Sequence, residues 1–573
     1  MTTRATDHSP EGQANSADRS GSVDGVGPID FERTPDRYRH WQLVVEPPLA
    51  RLSMDVDVDG GLLGDYALKL NSYDIGVDIE LADAIRRLRF EHPEVGCVII
   101  DSAVAGVFCA GANIKMLAGA DHGHKVNFCK FTNETRLEME EASACSDLKF
   151  LAAVNGPCSG GGYELAMACD HILLIDDRSS SVSLPEIPLL GVLPGTGGLT
   201  RLTDKRHVRR DLADVFATRA EGAQGPDALD QGLVDELAPP SEFDAAVTAR
   251  GLEMAAQSSR VATGGASGAD NPDRRPALLA PLAREQTGEG FSYRQVTVNV
   301  DRGRRVAELT IAASADAAWP LTAARELDDA LCHLRFNEPA LGTIVLRTVG
   351  DPEHVLVHDD RLGSPNGHTE RETSLLWKRA LSRLDLTARS LIAVVEPGSC
   401  FVGPLAEVAL AADRTYMLDG IFEDHEDPLP PAVMQLTAVN LGPMPMANGL
   451  TRLQSRFWGA TEDLAAAEAS VGRPLVASEA AGLGLATATP DDLDWDDEIR
   501  LAIEERASFS PDALTGMEAN HRFAGPESMA TKIFGRLSAW QNWIFIRPNA
   551  SGPDGALRRY GSGSRPDFSQ NRT

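Results

Sequence analysis

The chain has 573 residues, too many for one ordinary hydrophobic core, so at least two globular domains are expected. A formal charge of -30 and a pI near 4.8 argue against a nucleic-acid or membrane surface, which needs clustered Lys and Arg. Eight scattered cysteines without CxxC spacing suit a reduced, cytoplasmic chain better than a disulfide framework or a zinc site.

In chain order, residues 1–33 are Ser-, Gly- and Asp-rich and read as a disordered tail with no signal-peptide core. Residues 34–256 open a globular domain with the strand "LARLSMDV", the amphipathic helix "ELADAIRRLRFEHPEVG" and the buried strand "CVIID". Residues 257–288 have the composition of a flexible linker. Residues 289–547 then repeat the pattern. Glu80–Gly96 matches Glu326–Gly342 at nine of seventeen positions with a shift of 246, and Glu164 and Asp170 fall on Glu407 and Asp413 with a shift of 243. The period is too long for a solenoid and marks a duplicated domain. Strands alternating with helices imply a largely parallel sheet covered by helices, an α/β fold. Residues 548–573 read as a loosely held tail.

Three stretches of the first copy carry chemistry. In "VFCAGANIKML" (107–117), Gly111 and Ala112 have little or no side chain, so a ligand can meet peptide N–H groups there. In "NGPCSGGGYELA", the glycines at 160–162 leave donors uncovered where a helix starts, an arrangement suited to a developing oxyanion. In "VSLPEIPLLGVLPGTGGLTRL" (182–202), Glu186 lies between Pro185 and apolar sequence. Singly, each has an ordinary explanation: a tight turn, a favourable helix-dipole partner, a solvated turn residue. Together they set two bare-backbone turns beside two carboxylates in apolar surroundings, where burial raises a carboxyl pKa towards the range useful for acid–base work.

"FCAGANIKML", "NGPCSGGGYELAMACD" and "LPEIPLLGVLPGTGGLTRL" resemble the signature stretches of the crotonase (enoyl-CoA hydratase/isomerase) superfamily. The resemblance implies two tandem crotonase-like (ClpP/crotonase spiral) domains with additional helices, the second degenerate. It also implies a CoA-thioester substrate whose enolate oxygen is held by the N–H groups of Ala112 and Gly161, flanked by Gly111 and Gly162, with Glu164 and Glu186 as the catalytic pair. The fused second copy, with "KLNSYDIGVDIEL", "KVNFCKFTNETR" and "WQNWIFIRPN", is similar to the family of 2,3-epoxybenzoyl-CoA dihydrolases, also called benzoyl-CoA-dihydrodiol lyases. Members open the ring of an aromatic CoA thioester in aerobic benzoate breakdown and release formate, with no added redox cofactor or metal. A homo-oligomer, most simply a dimer, and a functional link to a benzoyl-CoA epoxidase are expected by the same resemblance.

Phe128 and Phe131 are candidates for an aromatic substrate and Asn127 and Asn133 for polar contacts, although an amphipathic helix packing its aromatics on the core explains them equally well. Lys115 and the basic cluster from Arg201 to Arg210 are candidates for the CoA phosphates, against the alternative of a solvated basic helix. Which glutamate is acid and which base is open at this level. Pro404 falls where Gly161 stands and lacks an N–H, so the second copy is expected to be catalytically silent. "GPCSG" misplaces the serine of a nucleophile elbow, "GTGGLT" lacks the last glycine of a dinucleotide fingerprint, and "DHGH" has no further ligands at zinc spacing. Two other functions remain: a conventional hydratase or isomerase with an accessory domain, which the two glutamates permit equally well, and a CoA-thioester-binding protein without turnover.

Overall fold

The computed structural model describes residues 27–64, 66–261, 275–423 and 428–573. Most of the expected N-terminal tail and the centre of the expected linker, 262–274, lie outside the described residues.

The N-terminal half is built on a 6-stranded sheet in the order Trp41–Glu46, Leu49–Met54, Cys97–Ser102, Lys149–Val154, His171–Ile175, Glu236–Ala238. The first pair is an antiparallel hairpin and every later neighbour is parallel. Cys97–Ser102 and Lys149–Val154 are buried along most of their length, which is why they read as continuous apolar runs instead of alternating ones. Helix α1 (Ile75–Phe90) begins at Asp74, whose side chain accepts from Gly76 N at 2.9 Å, and helix α2 (His122–Ser146) begins at Asp121, which accepts from His124 N at 2.7 Å.

The C-terminal half carries a 7-stranded sheet. Its strands Val296–Asp301, Val306–Ala312, Thr343–Val349, Ser390–Val395 and Arg414–Met417 repeat the pairing pattern of the first sheet: one antiparallel step, then parallel ones. The acidic residues shared by the two halves have matching structural work. Glu80 accepts from Arg39 N and His40 N, both at 2.9 Å, and Glu326 from Gln295 N at 2.7 Å and Val296 N at 3.0 Å, each carboxylate tying a helix to the start of its sheet. Asp170 accepts from Phe150 N and Asp413 from Leu391 N, both at 2.8 Å. A buried N–H left without a partner costs about 1–3 kcal/mol, which accounts for acidic residues at these spacings.

The halves join through helices α1 and α2 of the first and α3 (Trp319–Asn337) and α4 (His368–Asp385) of the second. Arg89 and Glu372, both fully buried, pair at 2.7 Å across this seam; Arg86 pairs with Asp328 at 2.7 Å and Arg335 with Glu134 at 2.9 Å. Charges buried this deeply persist only when matched, so Arg86 and Arg89 of "AIRRLRF" tie the first half to the second, while Arg87 pairs with Asp83 and Glu91 of its own half.

Two expected boundaries differ from the structure. The flank of the linker is built in: Leu279 N donates to Glu91 Oε1 at 2.8 Å, and Glu285–Thr287 is the edge strand of the second sheet. The segment 548–573 is not a loose tail. It holds short helices at Pro548–Ser551 and Ala556–Arg559, Asn549 donates to Asp512 at 2.8 Å, and Arg572, 2% exposed, pairs with Glu518 at 2.6 Å. Its polar composition hides these side chains' buried partners. Among the described residues, no helix is long and apolar enough to cross a membrane.

Candidate active site

Two loops meet at the carboxyl ends of the parallel strands. The first follows Cys97–Ser102 and carries Cys109–Asn113. Asn113 caps the helix Ile114–Gly119 by accepting from Met116 N at 3.0 Å, while its amide donates to Ala67 O at 2.9 Å and Ser72 Oγ at 3.0 Å. The second is the triple-glycine turn that opens the helix Gly161–Ala168. Cys109 and Cys158 form an isolated parallel bridge between the loops. Gly111, at φ +83°, lies so near the second turn that a Cβ there would stand 2.8 Å from Gly161 N, and a Cβ on Gly162 would stand 2.5 Å from Cys109 O. Bare backbone is a condition of the contact. Among the described residues neither the Ala112 nor the Gly161 N–H has an acceptor.

Glu164, on the first turn of that helix, is buried. It accepts from Thr196 N at 3.0 Å, from Gly198 N at 2.7 Å and from the Thr196 hydroxyl. Burial pushes its carboxyl above the usual range, and these donors oppose the shift. Glu186 reaches the same place by another route. The short strand Ser181–Ser183 runs parallel to Cys158–Ser159, Gly160 N donates to Ser183 O at 2.8 Å, and the chain then turns at Pro185 so that Glu186 lies over Gly160. Its buried Oε2 has no partner among the described residues. Burial, reinforced by the charge of Glu164, raises its pKa to about 7. One carboxylate is thus held by donors and the other is left free to hold a proton near neutrality.

The structure therefore brings together Gly111, Ala112, Gly161, Gly162, Glu164 and Glu186. The remaining candidates divide. Phe128 is buried against Tyr73, ring centroids 5.9 Å apart, at the back of the site. Phe131 instead packs on Phe31 and Phe336 at the seam, with the Arg383 guanidinium 5.5 Å from its ring centre. Asn127 also turns to the seam, donating to Arg335 O at 3.2 Å. Asn133 donates to Gly195 O at 3.0 Å and steadies the glycine loop that supplies the partners of Glu164. Arg201 is buried and fully engaged, pairing with Glu140 at 2.8 and 3.0 Å and donating to Thr196 O at 2.9 Å. In this arrangement it clamps that loop through Thr196 O. Lys205 and Arg206 are likewise paired, with Glu140 at 2.9 Å and Asp235 at 2.8 Å, whereas Lys115 is exposed beside the Ala112 turn. Thr196 and Gly198 escaped sequence reasoning. The signal for them was "PGTGG", whose glycines free two N–H groups for a carboxylate.

Residues 68–267 match the enoyl-CoA hydratase/isomerase family. The chain is 50% identical over 559 residues to the benzoyl-CoA-dihydrodiol lyase of Aromatoleum evansii, a match covering 95% of this chain and 98% of that protein. It is 33% identical over 162 residues to the fatty acid oxidation complex subunit alpha of Idiomarina loihiensis, covering 28% of this chain and 22% of that one. Among solved structures, an enoyl-CoA hydratase from Geobacillus kaustophilus HTA426 is 30% identical with a TM-score of 0.34, covering 38% of this chain and 75% of that one. Fold and site define a crotonase-type enzyme domain. Over nearly its whole length, the chain belongs to the benzoyl-CoA-dihydrodiol lyase family of that superfamily.

Proposed function

We propose that this protein is a ring-opening lyase of aerobic benzoate degradation, converting 2,3-epoxybenzoyl-CoA and two molecules of water to 3,4-dehydroadipyl-CoA semialdehyde and formate. The observation that carries the chemistry is two acceptor-free N–H groups on touching turns with two differently held carboxylates beside them. Ala112 N–H and Gly161 N–H bind the thioester oxygen and draw electron density from the ring conjugated with it, each donor contributing roughly 3 kcal/mol in the transition state. Glu164, fixed by Thr196 and Gly198, positions the two waters in turn, one for ring opening and one for release of the lost carbon as formate, and takes a proton from each. Glu186, with its pKa near neutrality, returns a proton as the ring opens and the carbon–carbon bond breaks. The only coenzyme in this scheme is the CoA of the substrate. That substrate must come from an enzyme that epoxidises benzoyl-CoA.

Residues 34–256 form the catalytic unit in this scheme, and residues 289–547 a degenerate copy. Supporting this, Glu407 is locked by Arg452 at 2.7 Å and Asn440 at 2.8 Å, and Gly403, the counterpart of Gly160, is covered by Asp359, which accepts from the Thr437 hydroxyl. A homo-oligomer is part of the proposal: Met529, Phe534 and Ile546 of one C-terminal helical segment are 73%, 75% and 78% exposed, apolar surface suited to a second copy. Incubation with 2,3-epoxybenzoyl-CoA tests the assignment. Formate and the six-carbon semialdehyde thioester are the expected products; hydration of crotonyl-CoA with no formate would return the protein to the conventional hydratases.

A further inference from the structure

One polar group in the site takes no part in the scheme above. Tyr73, 1% exposed, carries a hydroxyl with no hydrogen-bond partner among the described residues. A phenol removed from water without an acceptor is unfavourable, and native folds seldom keep one without a use.

Its surroundings indicate the use. Asn71 lies just upstream, its amide donating to Met54 O, Ser102 Oγ and Phe108 O, so the turn that presents Tyr73 is rigid. The Tyr73 backbone bridges the first oxyanion turn, its N–H donating to Gly111 O at 3.0 Å and its carbonyl accepting from Asn113 N at 2.8 Å. Its hydroxyl abuts the second turn so closely that a Cβ on Gly161 would collide with it. The ring is wedged between Phe128 and the Arg136 guanidinium, 5.6 Å from the ring centre, and Arg136 is itself fixed by Asp78 at 2.7 Å. A single residue therefore braces the Gly111–Asn113 turn with its backbone and sets its hydroxyl oxygen against Gly161.

We propose that Tyr73 Oη is a third donor of the oxyanion pocket, giving a hydrogen bond to the thioester oxygen beside the N–H groups of Ala112 and Gly161. Burial, opposed by Arg136 and helped by the nearby Glu164, keeps the phenol protonated well above its ordinary range, so it is a donor at every working pH. No proton is transferred; the bond tightens as charge develops on oxygen. This rests on the use of Ala112 and Gly161 as an oxyanion pair, not on the ring-opening chemistry.

Tyr73→Phe removes the donor and keeps the ring. The probe is 4-dimethylaminocinnamoyl-CoA, whose absorption moves to the red as its carbonyl is polarised, measured beside formate release from 2,3-epoxybenzoyl-CoA. In Tyr73→Phe the red shift is expected to be smaller than in the unmodified protein. The kcat should fall by at least about tenfold with KM within about threefold, as for loss of one transition-state donor. The thermal midpoint of the free protein should stay level or rise, because an unpartnered buried hydroxyl has been removed; a purely structural tyrosine would lower it. A red shift equal to that of the unmodified protein overturns the proposal whatever turnover does. A smaller red shift in the variant, with no formate from the unmodified protein, upholds Tyr73 and refutes the ring-opening assignment instead.

Discussion

Glu186 and Gly160 meet at a separation that only glycine allows: a Cβ on residue 160 would stand 2.5 Å from Glu186 Oε1. The backbone there is also left-handed, φ +54°. Gly160→Ala therefore costs about 1–3 kcal/mol in backbone conformation and displaces a carboxylate whose position the chemistry needs. Formate release should fall by about 100-fold or more, as misplacements near 1 Å do, while circular dichroism shows the fold retained. A Gly160→Ala enzyme of near-normal kcat would show that Glu186 does not act from this position.

Glu186 also sets a pH dependence. Its folded pKa is raised from 4.5 to about 7, so the native state binds its proton more tightly than the unfolded chain. That stabilisation is complete below about pH 4.5 and is lost as pH rises through about 7. Glu186→Gln abolishes the loss, so thermal scans should show the variant gaining on the unmodified protein between about pH 5 and pH 8. With Glu186 as the acid, kcat/KM should fall as pH rises through about 7, and the residual activity of Glu186→Gln should lack this limb. A limb of the opposite slope would exchange the parts assigned to the two glutamates.

Arg201 separates two kinds of kinetics. As a clamp on the Thr196–Gly198 loop, its replacement by alanine should cost on the order of 1–3 kcal/mol of stability and lower kcat by about tenfold, with KM little changed. A phosphate ligand would behave in reverse, with KM raised and kcat kept. Steady-state kinetics with the full CoA ester and its 3′-dephospho form distinguish the two.

In the second half, Glu407→Gln leaves Arg452 with Asp385 at 2.6 Å but removes one charge from a buried group. Denaturant unfolding should show a loss of about 1–3 kcal/mol, and formate release should remain within about twofold of normal. A large loss of turnover at unchanged stability would mean that the second copy takes part in the chemistry.

The catalytic turns were legible in the sequence because bare backbone leaves a compositional mark: "AGA" and "SGGG" admit few other uses so near a helix start. The correspondence between the halves was legible because Glu80, Glu326, Asp170 and Asp413 each satisfy buried N–H groups at matching places in the two sheets. The pairing of Arg201 was not legible because charge in a sequence carries no partner; only folding shows Glu140 across from it. Phe128 and Phe131 lie less than one turn apart on one helix, so their pattern alone does not separate them, and the seam that takes Phe131 includes Phe336, some two hundred positions away. Arg572 looked like tail composition until its pairing with Glu518 was visible.

The most direct measurement is formate released per 2,3-epoxybenzoyl-CoA consumed by the purified protein, beside Glu164→Gln and Glu186→Gln variants shown to be folded. The account predicts one formate for each substrate consumed, and loss of that release in both variants. Substrate consumed without formate, or formate release that survives removal of both carboxylates, would contradict it.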